Sequence, residues 1–215
     1  MRNFIKHPFS GLSHGAGAVL ALFGSAILLG VAWNKPWHLM TFAVYGATLF
    51  LVYLASSLYH SLHVNPRWEG RLLGLDRAAI FCLIAGTYTP ICLVALPAGW
   101  GWSLFGVVWG LAILGIGIDV ASRRKMPDWL TALFYLVMGW VALVAIGPLA
   151  RALPLSALLL LLAGCLIYTL GAVVCVLDRP RLKPGVFGAH DLWHVLVLVA
   201  SACHFVLMLR FIAPL

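Results

Sequence analysis

Charge is the property that this chain has least of. Only 9% of its 215 residues are Asp, Glu, Lys or Arg, whereas 63% are hydrophobic. A soluble domain averages about 25% charged residues, so a water-facing surface cannot be built from this composition. The chain is therefore predicted to be a polytopic membrane protein without a separate soluble domain. Its longest polar stretch, residues 63–71, is predicted to be a short loop.

Cysteine is missing from the polar loops, and the chain has no Cys-x-x-Cys pair. All five cysteines lie within apolar segments: Cys82, Cys92, Cys165, Cys175 and Cys203. Disulfides persist in oxidising compartments, and residues within apolar segments are not exposed to one. The cysteines are therefore predicted to pack as small buried side chains. The N-terminal sequence "MRNFIKHPFS" also lacks the small-residue cleavage site of a secretory signal. The first apolar run is therefore predicted to be a retained helix.

The chain also lacks the basic, aromatic platform that binds single-stranded nucleic acid. Its formal net charge is +8, but the positive residues lie in short segments between apolar runs. In such positions Lys and Arg set the orientation of a membrane protein. No nucleic-acid partner is expected, and the partners that this composition predicts are membrane lipids.

Seven apolar segments reach the length of about 20 residues that a helix needs to cross a bilayer. The third and fourth are divided by "LPAGWGW" (residues 96–102), because Pro and Gly end helices and Trp favours the membrane interface. The predicted fold is all-α, a bundle of seven transmembrane helices in a single domain, residues 1–215. The predicted helices cover residues 11–33, 37–61, 73–96, 101–121, 129–150, 155–177 and 190–212.

The positive residues are distributed unequally between the two sides of such a bundle. Three of the fourteen lie on one side, at Lys35, Arg151 and Arg210, and Arg77 lies just inside the third span. The other ten lie on the side of the N-terminus: Arg2, Lys6, Arg67, Arg71, Arg123, Arg124, Lys125, Arg179, Arg181 and Lys183. Positive loops stay in the cytoplasm, so the N-terminus is predicted inside and the C-terminus outside.

Polar side chains from three helices meet at one depth in this topology. His190 and His194 are four residues apart and share a face at the start of the seventh helix. The second helix ends with His60, and Asp76 is predicted in the first turn of the third. All four therefore lie near the predicted cytoplasmic boundary. Three imidazoles and a carboxylate at one level suit Zn²⁺, which in catalytic sites takes three protein ligands and leaves one position open.

Several of these polar residues have other interpretations. Asp76 could simply favour its helix N-terminus or pair with Arg77, and Ser56, one turn before His60, could bond to a carbonyl of its own helix. His204 is about 21 Å beyond His190 along a helix, so it cannot share the same metal; it could hydrogen-bond within the bundle or line a cavity. The other polar residues near the site have lesser expected roles: Asp191 as a helix cap, His14 as a neighbour of the ligands or packed against the small residues around it, and His63 in solvent or as a fourth ligand.

These residues together resemble a known family. Ser56-x-x-x-His60, Asp76 in the third helix and His190-x-x-x-His194 in the seventh are similar to the motifs of the progestin and adipoQ receptor (PAQR) family. "SHGAG" and "SSLYHSL" resemble its bacterial branch, the hemolysin III family. The resemblance covers essentially the whole chain and implies seven helices with a cytoplasmic N-terminus, in a bacterial plasma membrane.

The same resemblance implies a chemistry for the polar cluster. It implies a zinc ion held by His60, His190 and His194, with Asp76 holding the zinc-bound water, directly or through that water. It implies Ser56 as a hydroxyl that steadies a developing oxyanion. In related members the implied reaction is hydrolysis of an amide in a lipid such as ceramide.

Two functions follow from the sequence, and two others fit it poorly. The first is a zinc-dependent intramembrane hydrolase of a lipid-like amide or ester, with Asp76 and Ser56 as catalytic residues. The second is a metal-stabilised membrane sensor or homeostasis protein with little or no turnover. Haem fits poorly, because bis-histidine haem needs ligands on facing helices and His190 and His194 share one face. A transporter fits poorly because no charged path crosses the membrane. The sequence does not determine the oligomeric state.

Overall fold

The computed structural model describes residues 5–122, 126–180, 182–183 and 187–215. Within these ranges seven helices are long and apolar enough to cross a membrane, which confirms the predicted seven-helix fold. The helices are α1 (Pro8–Val31), α2 (Pro36–Ser61), α3 (Pro66–Ala95), α4 (Ala98–Ala121), α5 (Asp128–Ala152), α6 (Leu155–Leu177) and α7 (Ala189–Ile212). Five of the basic residues used to predict the orientation lie outside the described residues: Arg2, Arg123, Arg124, Lys125 and Arg181.

The start of α3 corrects the prediction for residues 63–71. This stretch is not a loop throughout, because α3 begins at Pro66. The Asn65 side chain caps the helix by accepting a hydrogen bond from the backbone N–H of Trp68, at 3.1 Å, and proline is favoured in the first helical turn. Asp76 therefore lies ten residues into α3 rather than in its first turn. The hydropathy pattern predicts where a helix enters the membrane. In α3 that point comes after the residue at which the helix begins.

Helices that are neighbours in the chain pack side by side, and the last helix also contacts the first. α1 packs on α2, α2 on α3, α3 on α4 and α6 on α7, and α7 returns to contact α1. Small residues allow close approach in membrane bundles, because van der Waals packing replaces the hydrophobic effect there. At Gly46 a Cβ atom would overlap the side chain of Ser25, so this glycine is required for the contact between α1 and α2.

One turn of α5 departs from regular α geometry and is held by α3. Residues Val141–Ala145 form a tighter 3₁₀ turn. The hydroxyl of Tyr88 donates to the Gly139 carbonyl at 2.7 Å and accepts from the Ala142 N–H at 2.8 Å. This tyrosine satisfies two backbone groups at the irregular turn. An unsatisfied backbone group in the membrane would be costly.

The end of the bundle at which α2 ends and α3 and α7 begin is called here the histidine end. An arginine joins three helices there. The Arg77 guanidinium donates to Asp119 at 2.9 Å, to Asp128, and to the backbone carbonyl of Met126 at 3.0 Å. Arg77 is thus engaged by α4 and by the start of α5.

Candidate metal centre

Three histidine side chains converge at the histidine end. The Nε2 atoms of His60 and His190 are 3.3 Å apart, and those of His190 and His194 are 3.0 Å apart. One ring nitrogen from each of the three lies within 4.8 Å of the other two, an arrangement that could hold a metal ion. His60 comes from the last turn of α2, whereas His190 and His194 come from the first two turns of α7. The structure therefore brings together the three residues that the sequence singled out.

The spacing of these nitrogen atoms fits a small tetrahedral cation. With metal–nitrogen bonds of about 2.0–2.1 Å, tetrahedral angles separate two ligand nitrogens by about 3.3 Å. Two of the three separations, at 3.0 and 3.3 Å, are close to that value, and all three are within 4.8 Å. Three neutral imidazoles supply three of the four bonds and leave one position free, as in catalytic zinc sites.

The three ligand candidates differ in burial and in their second contacts. His60 and His194 are 4% and 2% exposed, while His190 is exposed at the mouth of the site. The Nδ1 atoms of His60 and His194 find no hydrogen-bond partner among the described residues, whereas the Nδ1 of His190 lies 3.9 Å from the sulfur of Cys175 on α6. A metal-binding histidine usually has its other ring nitrogen engaged, and Cys175 is placed to do this weakly for His190.

The N-terminal segment holds the histidine end together. The backbone N–H of His7 donates to the His60 carbonyl at 2.8 Å. Asp191 accepts from the Gly188 N–H at 3.0 Å and from the Ser10 hydroxyl at 2.7 Å, so it caps α7 and joins it to α1. Asp191 is therefore a cap, as its position beside His190 predicts. These contacts fix the position of His190 and His194 along the axis of the bundle.

His14 of α1 is directly against the three-histidine group without belonging to it. Its ring centroid is 3.9 Å from that of His194, and its Nε2 is 3.4 Å from the His194 carbonyl oxygen. His14 is 3% exposed. It therefore supports the position of His194 from the α1 side, as the prediction of a neighbouring role requires.

Ser56 and Asp76 form a second polar pair beside the histidines. The Ser56 side chain lies beside the Asp76 carboxyl, so α2 brings a hydroxyl next to a carboxyl of α3. Both residues line the same cavity as His60, His190 and His194. Asp76 is not one of the group whose ligand atoms all lie within 4.8 Å of one another. The Asp76 carboxyl is thus farther from the three histidine nitrogens than these nitrogens are from one another.

A cavity continues from this polar end into the bundle. Its empty space, including the part open to the surroundings, is about 1170 Å³. Beyond the polar residues its wall is mainly apolar and includes Val52, Ile80, Leu104, Leu149 and Leu161. Leu104 and Leu149 belong to the opposite end of the bundle, so the cavity extends through most of the length of the helices.

The structure also shows where His63 and His204 lie relative to the site. His63 is exposed and lies outside the three-histidine group, so no fourth-ligand role is visible for it. His204 lines the cavity and lies on α7, far from the three-histidine group. Cys175 was not singled out by the sequence as a neighbour of the site, although α6 ends at the histidine end and this topology could have indicated it.

Comparison with known proteins agrees with this architecture. The profile of a family described as haemolysin-III related matches residues 2–205. The chain belongs to the haemolysin III family. Hemolysin-3 of Bacillus cereus is 37% identical over 217 residues, covering 100% of this chain and 95% of that protein. A hemolysin-3 homolog of Bacillus subtilis is 32% identical over 198 residues, covering 91% and 89%.

Membership in the haemolysin III family confirms the resemblance drawn from the motifs. Together with the seven apolar helices, it identifies an integral membrane protein of the bacterial plasma membrane. The three-histidine group gives this haemolysin III protein a site that could bind a metal ion.

Proposed function

We propose that this protein is a zinc-dependent intramembrane hydrolase that cleaves an amide or ester bond in a lipid-like substrate. One observation carries the proposal: a single cavity is lined at one end by three convergent histidines together with Asp76 and Ser56, and is mainly apolar beyond them. The polar end has groups suited to hydrolysis, and the apolar part is suited to an acyl chain. A purely structural metal site would not require such a cavity.

Zinc is the metal that this donor set favours. Neutral imidazole nitrogens suit zinc better than magnesium or calcium, which prefer oxygen ligands. His60, His190 and His194 would hold the ion and leave one position open, the arrangement of catalytic rather than structural zinc. When bound, zinc supplies a Lewis acid that polarises a carbonyl and lowers the pKa of a water molecule.

Asp76 is proposed as the group that moves the proton. A carboxylate beside the attacking water accepts one proton as the water oxygen bonds to the substrate carbonyl carbon. The same carboxyl then returns that proton to the leaving nitrogen or oxygen as its bond to carbon breaks. The products are a carboxylic acid and an amine or alcohol, so atoms and charges balance.

Ser56 is proposed to assist in two ways. Its hydroxyl, which lies beside Asp76 on the cavity wall, would orient the carboxylate by donating to it before the reaction. Once Asp76 has taken up the proton, the single hydroxyl hydrogen of Ser56 would instead be donated to the negative charge that develops on the carbonyl oxygen, a form of stabilisation worth several kcal/mol when a donor is well placed. The proposal places the histidine end on the cytoplasmic side, following the distribution of positive residues.

The test is hydrolysis by purified protein with matched variants. Protein in lipid nanodiscs is incubated with ceramides, other N-acyl lipids and acyl esters, with and without a chelator, and products are measured by mass spectrometry. Chelator-sensitive release of fatty acid that disappears in Asp76→Asn is expected. His63→Ala, which alters an exposed histidine outside the group, serves as control. No chelator-sensitive product from a broad panel would refute the enzyme assignment.

A metal-stabilised sensor without turnover is the second candidate. The observation in its favour is that the histidines come from α2 and α7, so an ion would join two helices that are distant in the chain. In that case Asp76→Asn would preserve function in cells as long as metal and fold are preserved. In the enzyme case the same variant would keep its metal and lose function.

A further inference from the structure

A second opening lies at the end of the bundle opposite the histidine end, where α3 and α5 end and α4 begins. It is a groove between the turn that joins α3 to α4 and the last turn of α5. Leu96, Pro97 and Trp100 line one side, and Pro148 and Arg151 line the other. Its empty space, including the part open to the surroundings, is about 720 Å³. None of the described residues that line this groove also lines the large cavity, so the two are separate sites.

Among the described residues that line the groove, Arg151 alone carries a charge. Arg151 belongs to the last turn of α5 and is exposed. One of its guanidinium nitrogens lies 4.0 Å from the place that a Cβ atom of Gly147 would occupy. The side chain therefore lies back over α5 instead of pointing past the end of the helix. A guanidinium has five N–H donors, and Arg151 forms no ion pair with any described residue.

The acidic side chains of the protein are all remote from Arg151. They lie in the half of the bundle at the histidine end: Glu69, Asp76, Asp119, Asp128, Asp178 and Asp191. Asp128, at the start of α5, is about 35 Å from Arg151 along that helix, at 1.5 Å per residue. The anion that compensates Arg151 is therefore not an acidic side chain of this protein.

Tryptophans place the groove at the level of the lipid headgroups. Trp100 lines the groove and is 44% exposed, and Trp33, Trp37 and Trp102 are also exposed at this end of the bundle. Exposed tryptophans are enriched at the interface between membrane and water. The phosphate groups of the lipids lie at that depth, and a guanidinium binds phosphate oxygens through two parallel hydrogen bonds.

We propose that this groove binds the phosphodiester group of a membrane glycerophospholipid, with Arg151 as the residue that holds the phosphate oxygens. A phospholipid matches both parts of the groove, because its phosphate pairs with the guanidinium while its apolar part lies against Leu96, Pro97 and Trp100. A free phosphate ion would match Arg151 and leave the apolar wall uncovered. The inference does not rest on the proposed hydrolysis, since the groove and the cavity share no lining residue.

Equilibrium lipid binding to the full-length protein in detergent tests the proposal. The probes are dioleoylphosphatidylglycerol and dioleoylglycerol, which have the same acyl chains and differ in the phosphate headgroup. Binding is measured by native mass spectrometry, which resolves each complex of protein and lipid. Phosphatidylglycerol is expected to bind at least about tenfold more tightly, the contribution of a hydrogen-bonded charged pair. Equal affinities for the two lipids would overturn the proposal.

Matched arginine variants locate the binding site. Arg151→Gln removes the charge, so it is expected to lose the preference for phosphatidylglycerol and to bind dioleoylglycerol as the wild type does. Arg210→Gln is the control, because Arg210 is an exposed arginine at the same end that does not line the groove. It is expected to keep the preference. Persistence of the preference in Arg151→Gln, or an equal loss in Arg210→Gln, would contradict the proposal. If Arg151→Gln does not fold, the comparison of the two lipids on the wild type still decides.

Two further measurements separate the alternative ligands and sites. Inorganic phosphate at millimolar concentration is expected to leave phosphatidylglycerol bound, whereas displacement of the lipid would assign the site to free phosphate and overturn the lipid assignment. A photoreactive phosphatidylglycerol analogue is expected to label residues 96–100 or 148–152, and labelling confined to the wall of the large cavity would overturn the groove as the site. Neither measurement depends on lipid hydrolysis, so the groove and the hydrolase assignment stand or fall separately.

Discussion

Removal of one histidine from the three-histidine group should abolish both metal binding and the stabilisation that the metal gives. The perturbation is His194→Ala. His194 is 2% exposed, and its Nε2 lies 3.0 Å from that of His190. Alanine removes one of three nitrogen ligands, and no other His, Cys, Asp or Glu of the described residues joins this group. Two imidazoles on different helices are then left to hold the ion.

The expected magnitude follows from linkage between binding and unfolding. A metal ion present at 100 times its dissociation constant stabilises the folded state by about 2.7 kcal/mol, provided that it does not bind the unfolded chain. For a domain of this size each kcal/mol corresponds to about 2–4 °C in Tm. A chelator should therefore lower the Tm of the wild type by about 5–10 °C. It should leave the Tm of His194→Ala unchanged.

The assay combines metal analysis of the purified protein with thermal unfolding in detergent. Wild type and His63→Ala should each carry one equivalent of zinc and respond to the chelator, whereas His194→Ala should do neither. Zinc at full occupancy in His194→Ala, with an undiminished response to the chelator, would refute the assignment of the three histidines as the ligands.

The remaining predictions concern the neighbouring polar residues and the orientation. Asp76→Asn should keep the zinc and lower lipid hydrolysis by at least about 100-fold, the usual contribution of a proton-transfer group, whereas zinc loss in that variant would point to direct ligation by Asp76. Ser56→Ala should retain zinc and reduce kcat, by about 10-fold if it only orients Asp76 and by about 100-fold or more if it also donates to the oxyanion. Arg77→Ala should destabilise the protein by about 3 kcal/mol in thermal unfolding, because it leaves the largely buried carboxylate of Asp119 unpaired; an unchanged Tm would show that the pair contributes nothing. Alkaline phosphatase fused to the C-terminus should be active, since that end is predicted outside, and an inactive fusion would reverse the orientation.

The sequence determined the class of this protein and the identity of its polar cluster. Scarcity of charge and seven runs of about 20 apolar residues require a helical membrane bundle, since only helices and closed barrels satisfy their backbone in lipid. Alternation of the helices across the membrane placed His60, His190 and His194 at one end without any knowledge of contacts. This part succeeded because depth in a bilayer is a function of position along the chain.

The beginning of α3 and the partners of the charged residues required the tertiary structure. Residues 66–71 are polar and helical at once, and hydropathy detects only the membrane-facing part of a helix. Asp76 could cap its helix or pair with Arg77 on sequence grounds. Only the packing of α2 against α3 placed Ser56 beside Asp76, and only the approach of α4 and α5 engaged Arg77.

The remaining contacts of the site depend on which helices lie side by side. Depth alone could indicate that His14 and Cys175 lie near the histidine end. It does not say which helices are neighbours, so the sequence could not show that His14 packs on His194 or that Cys175 lies beside His190. It could not choose between hydrogen bonding within the bundle and cavity lining for His204. These contacts depend on which faces of α1, α6 and α7 meet, and that is set by side-chain packing across helices distant in the chain.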